Sequence, residues 1–314
     1  MFEKNRISNL LKIKYPILQG GMAWVADADL AAAVSNAGGL GIIAAASMPA
    51  ELLEKEIIKV KTLTDKPFGL NIMLMSPTAD DAMEIAAKYS VPIVTTGAGL
   101  PGKVIERLKP LGTIIVPVVA SVAHADRVQK QGADAVVAEG SEAGGHIGEI
   151  NTMALIPQVV NSVSIPVIAA GGIADARGVL AAFALGAEGV QVGTRFVCAT
   201  ECNVHDNYKN KILKANDRST VVTGRPLGHP VRGIKNKLTR EYELLEKNGA
   251  PLEELEALGV GKLRNAVVDG DMDWGAIMSG QSAGLVNKIE PALDIIKDLT
   301  DIQTKYDEII MRLG

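Results

Sequence analysis

Aromatic residues are scarce in this chain of 314 residues. Phe, Tyr and Trp together make up 4% of it, whereas hydrophobic residues as a whole make up 47%. Its apolar content therefore consists mainly of Ala, Val, Ile and Leu, with 32 glycines beside them. That amount of apolar material suffices for one large domain or two ordinary ones. Small aliphatic residues favour parallel strands that are buried on both faces under alanine-rich helices.

Cysteine is scarcer still, with only Cys198 and Cys202 in the whole chain. Two cysteines that lack further Cys or His at zinc spacing exclude a disulfide framework and a structural zinc site. Neither an HExxH nor a CxxC pattern is present, so we expect no catalytic metal. The rarity of cysteine fits a reducing, cytoplasmic compartment.

The chain also has no strong excess of charge and no long apolar run. Its 32 Lys and Arg against 36 Asp and Glu give a net charge of −4, which argues against a protein that binds nucleic acid along its surface. The first residues, MFEKNRISNLLKIKYPI, lack the apolar core of a signal peptide. Glycine or proline interrupts each apolar stretch before it reaches about 18 residues, so no membrane span is expected.

Short apolar runs alternate with helix-patterned segments along the first two thirds of the chain. This alternation is typical of βα units and a parallel sheet. Eight strands within about 200 residues predict a TIM (β/α)8 barrel. A doubly wound open sheet is the alternative, although it usually has fewer strands. The predicted strands cover residues 16–23, 40–47, 67–74, 92–99, 113–120, 135–140, 166–172 and 189–196.

The alternation stops after Phe196. Residues 203–275 are more polar and contain no strand pattern of comparable quality, so they are predicted to form a small, mainly helical cap inserted after strand 8. From about residue 277 the chain returns to apolar sequence and ends in a predicted amphipathic helix, 290–312. We therefore expect a barrel made of residues 1–202 and 276–314, with residues 203–275 as a smaller cap that helps to bind substrate.

Glycines collect where the predicted strands end, which is the active-site face of a TIM barrel. The stretch EGSEAGGHIG (139–148) has four glycines and one of the four histidines, His146. AAGGIAD (169–175) and QVGTRF (191–196) follow strands 7 and 8, where this fold commonly binds phosphate through backbone N–H groups. Gly172 and Gly193 would let a phosphate approach, and Thr194 adds a hydroxyl.

A phosphate site does not by itself identify the cofactor. No GxGxxG follows a strand with an acidic residue about 20 positions later, and no Walker A motif is present, so a Rossmann dinucleotide site and a P-loop are disfavoured.

Six segments give a more specific indication. In their order along the chain they resemble the nitronate monooxygenase / 2-nitropropane dioxygenase-like flavoprotein family, and the resemblance covers essentially the whole chain. They are QGGMAWVAD (19–27), GGLGIIAA (38–45), PFGLNIML (67–74), AEGSEAGGHIG (138–148), IPVIAAGGIAD (165–175) and GVQVGTRF (189–196). Within that family, GGMAWVAD, GHPVRGIKNKLTREYE (228–243) and GQSAGLV (280–286) resemble the FMN-dependent enoyl-acyl-carrier-protein reductase II of the FabK type.

The resemblance implies FMN bound across the top of the barrel, with NADH or NADPH as co-substrate. It places Glu139 near the ribityl or phosphate part, and Asn71 against the isoalloxazine. It also implies a homodimer and, in some members, dependence on a monovalent cation such as potassium or ammonium. The other residues that it assigns to FMN are Gly21, Met22 and Ala23 along the ring or ribityl chain, and Gly171, Gly172, Gln191, Gly193 and Thr194 around the phosphate.

The activity implied is the last reductive step of fatty-acid elongation. A nicotinamide delivers hydride to the flavin, and the flavin delivers it to the β-carbon of a trans-2-enoyl thioester. His146 would donate the proton at the α-carbon or polarise the thioester carbonyl, because imidazole can donate or accept a proton near neutral pH. Of the other histidines, His124 and His205 are expected at the surface, and His229 in the cap is a candidate substrate contact.

Two alternatives remain open. A nitronate monooxygenase on the same fold would use His146 as a base on a nitroalkane, and oxygen would reoxidise the flavin. The other alternative is a phosphate-binding barrel without redox function, such as a sugar-phosphate isomerase or a non-catalytic binding protein.

The cap also carries a local run of positive charge. Five basic residues and no acidic one lie between Thr223 and Arg240. Because acyl carrier proteins are strongly acidic, such a patch could steer one to the site; a solvated helix face, or a site for nicotinamide phosphates, would also explain it. The five residues are Arg225, Arg232, Lys235, Lys237 and Arg240.

Overall fold

The computed structural model describes residues 2–313. Its eleven strands form an eight-stranded sheet and a three-stranded sheet. The strands are β1 (Ile17–Gln19), β2 (Gly41–Ala44), β3 (Phe68–Met73), β4 (Ile93–Gly97), β5 (Ile114–Val119), β6 (Val136–Glu139), β7 (Gly145–His146), β8 (Val167–Ala170), β9 (Gly189–Val192), β10 (Thr220–Thr223) and β11 (Val231–Ile234).

The eight-stranded sheet is parallel and has the order β1-β9-β8-β6-β5-β4-β3-β2. A parallel bridge between Leu18 and Leu40 joins its two outer strands, so the sheet closes on itself. The predicted TIM barrel is thereby confirmed. The observed strands are shorter than the predicted ones, because the apolar and glycine-rich sequence continues beyond each strand into the βα loop.

Helices alternate with the barrel strands and cover them from outside. Those up to β9 are α1 (Arg6–Leu11), α2 (Ala28–Asn36), α3 (Ala50–Leu63), α4 (Ala79–Lys88), α5 (Gly102–Leu108), α6 (Val122–Gln131), α7 (Thr152–Ser162) and α8 (Ala176–Ala184). Those after β9 are α9 (Thr194–Val197), α10 (Asp206–Leu213), α11 (Lys237–Lys247), α12 (Leu252–Gly259), α13 (Lys262–Val267), α14 (Ala292–Thr300) and α15 (Ile302–Leu313). The predicted C-terminal helix 290–312 is therefore two helices, because Asp301 has ψ 39° and leaves the helical conformation.

The barrel strands are buried on both faces. Leu18, Ile42 and Ile168, from three different strands, share one hydrophobic cluster with Ile7 and Leu11 of α1. This places α1 across the N-terminal end of the barrel, and the opposite end is left for the loops that follow the strands. Each fully buried aliphatic side chain stabilises the fold by about 1.5–3 kcal/mol relative to exposure.

The segment 203–275, called the cap below, contains four helices and a hairpin that the sequence pattern did not predict. Strands β10 and β11 pair antiparallel, and β11 also pairs with β7 from the barrel loop. The hairpin gave no clear signal because β10 and β11 have only four residues each and most of these are partly exposed. Within residues 2–313, none of the helices has the length and hydropathy needed to cross a bilayer.

Candidate active site

The loops after the barrel strands surround one cavity of about 480 Å³, and all eleven predicted site residues line it. They come from five of the barrel strands and the loops that follow them, and they converge because the carboxyl ends of parallel barrel strands meet at one face. The size lies within the range of small-molecule pockets. The cap contributes His229 and Leu263 to the same wall.

One corner of the cavity is formed by backbone that follows β8 and β9. Gly171 and Gly172 have φ +95° and +77°, a region that L side chains rarely adopt. Among the described residues, the amides of Gly171, Gly172 and Gly193 donate no hydrogen bond. Thr194 Oγ1 accepts a 2.9 Å hydrogen bond from the Gly280 amide, which leaves its own O–H free to donate. Such a group of free donors fits an anion such as the FMN phosphate.

The helix after β8 does not supply these donors. Asp175 caps the N-terminus of α8, and its carboxylate accepts hydrogen bonds from the amides of Arg177 and Gly178. A phosphate in this corner would therefore rely on the loop amides rather than on the start of α8.

Neutral amides line a second part of the cavity. A Cβ at Gly21 would overlap the Asn71 side chain, so only glycine lets the first loop lie against it. Asn71 Nδ2 donates to Thr95 Oγ1 at 2.9 Å, and this bond fixes the amide and leaves Oδ1 without a partner within residues 2–313. Gln191 is buried and its side chain likewise has no hydrogen bond to another described residue. A flat heterocycle with edge donors and acceptors fits these groups.

Glu139 ends β6 and points a carboxyl group into the same cavity. It has no ion pair or hydrogen bond to other described side chains, and burial raises its pKa to about 7. The carboxyl group therefore keeps its proton to a higher pH than an ordinary glutamate, and in that form it can donate as well as accept a hydrogen bond.

Replacing Glu139 by Gln should stabilise the flavin-free protein at alkaline pH. The folded pKa of about 7 exceeds the ordinary value of 4.5, so between these pH values the folded state keeps a proton that the unfolded chain has lost. The free energy of unfolding of the native chain should thus fall across this window by about 1–3 kcal/mol relative to the variant. Urea unfolding at about pH 5 and about pH 8 measures this; an identical pH dependence in both proteins would contradict it.

The His146 loop is held between barrel and cap. Residues 145 and 146 form β7, Val231 pairs with His146, and the Ile147 amide donates to Pro230 O at 3.0 Å. The neighbouring Glu142 has a structural role, because its carboxylate accepts from the Thr152 amide and hydroxyl at the start of α7.

Three glycines of this loop are needed because other parts of the protein pack closely against them, not because a ligand does. A Cβ at Gly144 would lie 2.6 Å from the Ser279 carbonyl carbon, and one at Gly148 would lie 2.5 Å from Ala120 Cβ. A Cβ at Gly140 would overlap the Thr152 hydroxyl. The high glycine content of this stretch is therefore explained mainly by packing.

Three imidazoles lie on the cavity wall. The His146 and His229 rings are 5.9 Å apart between centroids and inclined by 60°. Burial among the cavity walls, and secondly the neighbouring His229, lower the pKa of His146. His124, expected at the surface, also lines the cavity, and its Nε2 lies 3.2 Å from Gly99 O. His205 lies outside the cavity and caps α10.

The basic run of the cap is largely paired. Arg225 contacts Glu149 at 2.6 Å and Lys237 contacts Asp273 at 2.8 Å. Arg232 donates to Ser141 O at 3.0 Å and to the Thr220 hydroxyl at 3.2 Å. Lys235 and Arg240 are exposed and have no ion pair within the described part of the chain. The local positive charge is thus smaller than the sequence alone indicates, since the acidic partners lie far away in the sequence.

The two cysteines lie outside the cavity wall and are buried. Burial raises the thiol pKa of Cys198 to about 11 and that of Cys202 to about 12. Both therefore remain protonated and unreactive at neutral pH, as expected for packing residues.

Comparison with known proteins identifies the family of this chain. The family model described as nitronate monooxygenase matches residues 4–301. The structure of FabK from Thermotoga maritima superimposes with a TM-score of 0.93 at 52% identity, covering 99% of this chain and 98% of that one. A probable nitronate monooxygenase of Staphylococcus haemolyticus is 36% identical, over 91% of this chain and 93% of its own length.

A third relative carries a different name. The (3aS,4S,5R,7aS)-5-hydroxy-7a-methyl-1-oxo-octahydro-1H-indene-4-carboxyl-CoA dehydrogenase of Mycobacterium tuberculosis is 34% identical, over 93% of this chain and 94% of its own length. The family model and these relatives show that this chain belongs to the nitronate monooxygenase family and is a flavin-dependent oxidoreductase.

Proposed function

We propose that this chain is an FMN-dependent enoyl-[acyl-carrier-protein] reductase that uses NADH or NADPH. The likeness to FabK carries the proposal, because 52% identity extends over 99% of the chain and so includes the cap. The sequence of the cap segment 228–243 also resembles the enoyl reductase of the FabK type. The dehydrogenase of Mycobacterium tuberculosis adds support, because the compound in its name is a carboxyl-CoA, which is a thioester as the proposed substrate is.

The cavity fits the cofactor. The free amides of Gly171, Gly172 and Gly193 and the Thr194 hydroxyl would bind its phosphate. The amide side chains of Asn71 and Gln191 would contact the ring system. Bound FMN supplies the two-electron chemistry, accepting hydride from a nicotinamide and passing it to the enoyl substrate.

The protein's own side chains would then supply the proton for the α-carbon and contact the thioester carbonyl. The His146 imidazole lines the cavity and makes no hydrogen bond to another residue within 2–313, so its ring nitrogens are free to contact a substrate. Strand β11 of the cap pairs with β7 beside His146, and the cap residues His229 and Pro230 line the same cavity. Of the five basic residues between Thr223 and Arg240, Lys235 and Arg240 are exposed and unpaired within the described residues, so they would attract an acidic carrier protein.

Anaerobic stopped-flow absorbance at the flavin band tests the proposal. Mixing with NADH or NADPH should bleach the flavin, and a crotonyl thioester should then restore it rapidly. A saturated butyryl thioester is the matched control and should restore nothing, because it has no double bond to accept hydride. A flavin that neither nicotinamide bleaches, or that crotonyl thioester leaves reduced, would refute an enoyl reductase.

A nitronate monooxygenase is the second candidate. The family model and the staphylococcal relative carry that name, and His146 could serve as a base on a nitroalkane. Turnover of an alkyl nitronate with oxygen, in a protein that NADH and NADPH do not reduce, would establish it in place of the reductase.

A further inference from the structure

Two imidazoles from different parts of the chain stand side by side on the cavity wall. His146 comes from a barrel loop and His229 from the cap, next to β11. The pairing of Val231 with His146 and the 3.0 Å bond from the Ile147 amide to Pro230 O fix the two segments together. The relative position of the two rings is therefore set by backbone hydrogen bonds.

These two histidines differ from the other two in the chain. His124 Nε2 lies 3.2 Å from Gly99 O, and His205 Nδ1 accepts a hydrogen bond from the Asn207 amide at 3.1 Å. No hydrogen bond to a described residue is made by the imidazole of His146 or of His229, and none joins them. Their nitrogens are thus available to a ligand that enters between them and the barrel.

Two imidazoles this close disfavour a state in which both are charged. The other titratable groups that line the cavity are His124, Glu139 and Tyr208. Of these, Tyr208 is committed to a 2.8 Å hydrogen bond to Met278 O. One ring of the pair can therefore release a proton while the other donates an N–H hydrogen bond.

We propose that His229 is a further catalytic residue, which donates its N–H to the thioester carbonyl oxygen while His146 protonates the α-carbon. This inference rests on the proposed enoyl reductase. His146 receives the acid role because its loop lies against the glycine corner, where a Cβ at Gly171 would come within 3.3 Å of the Ala143 amide nitrogen. The thioester carbonyl is at the end of the acyl chain that is joined to the carrier, and in this proposal that end would lie toward the cap, which contributes His229 to the cavity wall.

In the proposed reaction, His229 and His146 each act on a different atom of the substrate. Hydride forms a new C–H bond at the β-carbon, and the C=C electron pair moves toward the carbonyl to give an enolate. The negative charge develops on the thioester oxygen, where the His229 N–H stabilises it. The α-carbon then takes a proton from the His146 imidazolium as the enolate collapses. The neutral imidazole that is left regains a proton from solvent.

The test compares His229→Leu with His229→Gln in the flavin-loaded enzyme. Leu removes the donor, and loss of one such donor slows reoxidation of reduced flavin by crotonyl thioester by about 10²-fold. Gln retains an N–H donor and should recover the rate to within about 10-fold of the native enzyme. His205→Asn is the matched control, because Asn can still cap α10 and the residue lies outside the cavity.

Flavin content and reduction by NADH are measured in the same samples, so that general damage is separated from a loss in the second half-reaction. A Leu variant within about threefold of the native rate would overturn the inference, and so would a Gln variant as slow as Leu. Failure of the native enzyme to reduce crotonyl thioester would instead refute the proposed function.

Discussion

The His146→Gln variant should retain its flavin and lose enoyl reduction, with kcat lower by about 10²–10⁴-fold. Glutamine can donate a hydrogen bond but cannot release a proton to the α-carbon. The cofactor corner should be unaffected, because Gly171, Gly172 and Thr194 lie on other loops and make no hydrogen bond to His146. Reduction by NADH should consequently persist while the reduced flavin accumulates.

The pH dependence gives the same experiment a second readout. Burial, and secondly His229, lower the pKa of His146 from its ordinary value of 6.5. The imidazolium form is then fully present only below that lowered pKa, and it declines as the pH rises through it. Flavin reoxidation by crotonyl thioester should thus slow with rising pH in the native enzyme, and the His146→Gln variant should lack this titration.

Anaerobic stopped-flow absorbance over a pH series checks both parts. His205→Asn serves again as the control, since it removes an imidazole that lies outside the cavity. A Gln variant that reoxidises within about threefold of the native rate would remove His146 from the acid role.

The barrel and the position of the site could be predicted from the sequence because both depend on local patterns. Eight buried strands followed by helices leave few architectures, and parallel strands bring their carboxyl ends to one face. Asn71 and Gln191, which the family resemblance assigned to FMN, lie at that face, and the structure places both on one cavity. His124 was missed although a signal existed: it lies in the first turn of α6, directly after β5.

The features of the structure that the sequence did not predict depend on contacts between segments that are far apart in the chain. The packing of Gly144 against Ser279 involves residues 135 positions apart, and no local pattern reports it. The ion pair of Arg225 with Glu149 crosses from cap to barrel loop, so a count of charges in the cap overstates its positive field. The β10–β11 hairpin is stabilised partly by pairing with β7, which the sequence of the cap does not contain.

Replacing Gly171 by Ala should abolish tight FMN binding, with an affinity loss of about 10²-fold or more. The residue has φ +95°, and a Cβ there would lie 2.8 Å from Gly140 O and 2.9 Å from Thr152 Oγ1. Thr152 cannot withdraw easily, because its hydroxyl also donates to the Glu142 carboxylate at 2.8 Å. The turn must therefore change conformation, and its free amides leave the arrangement that fits a phosphate.

Two other glycines separate the causes of this loss. Gly172 shares the positive φ at +77° but would bring its Cβ only to 3.5 Å from Glu142 Cβ, so Gly172→Ala should weaken FMN less. Gly112 has φ +86°, no described atom lies within 4 Å of the position that its Cβ would take, and the residue lies outside the cavity wall. Gly112→Ala should cost about 1 kcal/mol of stability and leave FMN affinity unchanged.

Fluorescence titration of the flavin-free proteins with FMN measures the three affinities. Equal losses at Gly171 and Gly172 would attribute the effect to backbone strain alone, whereas a graded loss assigns it to the close contact between this turn and Thr152.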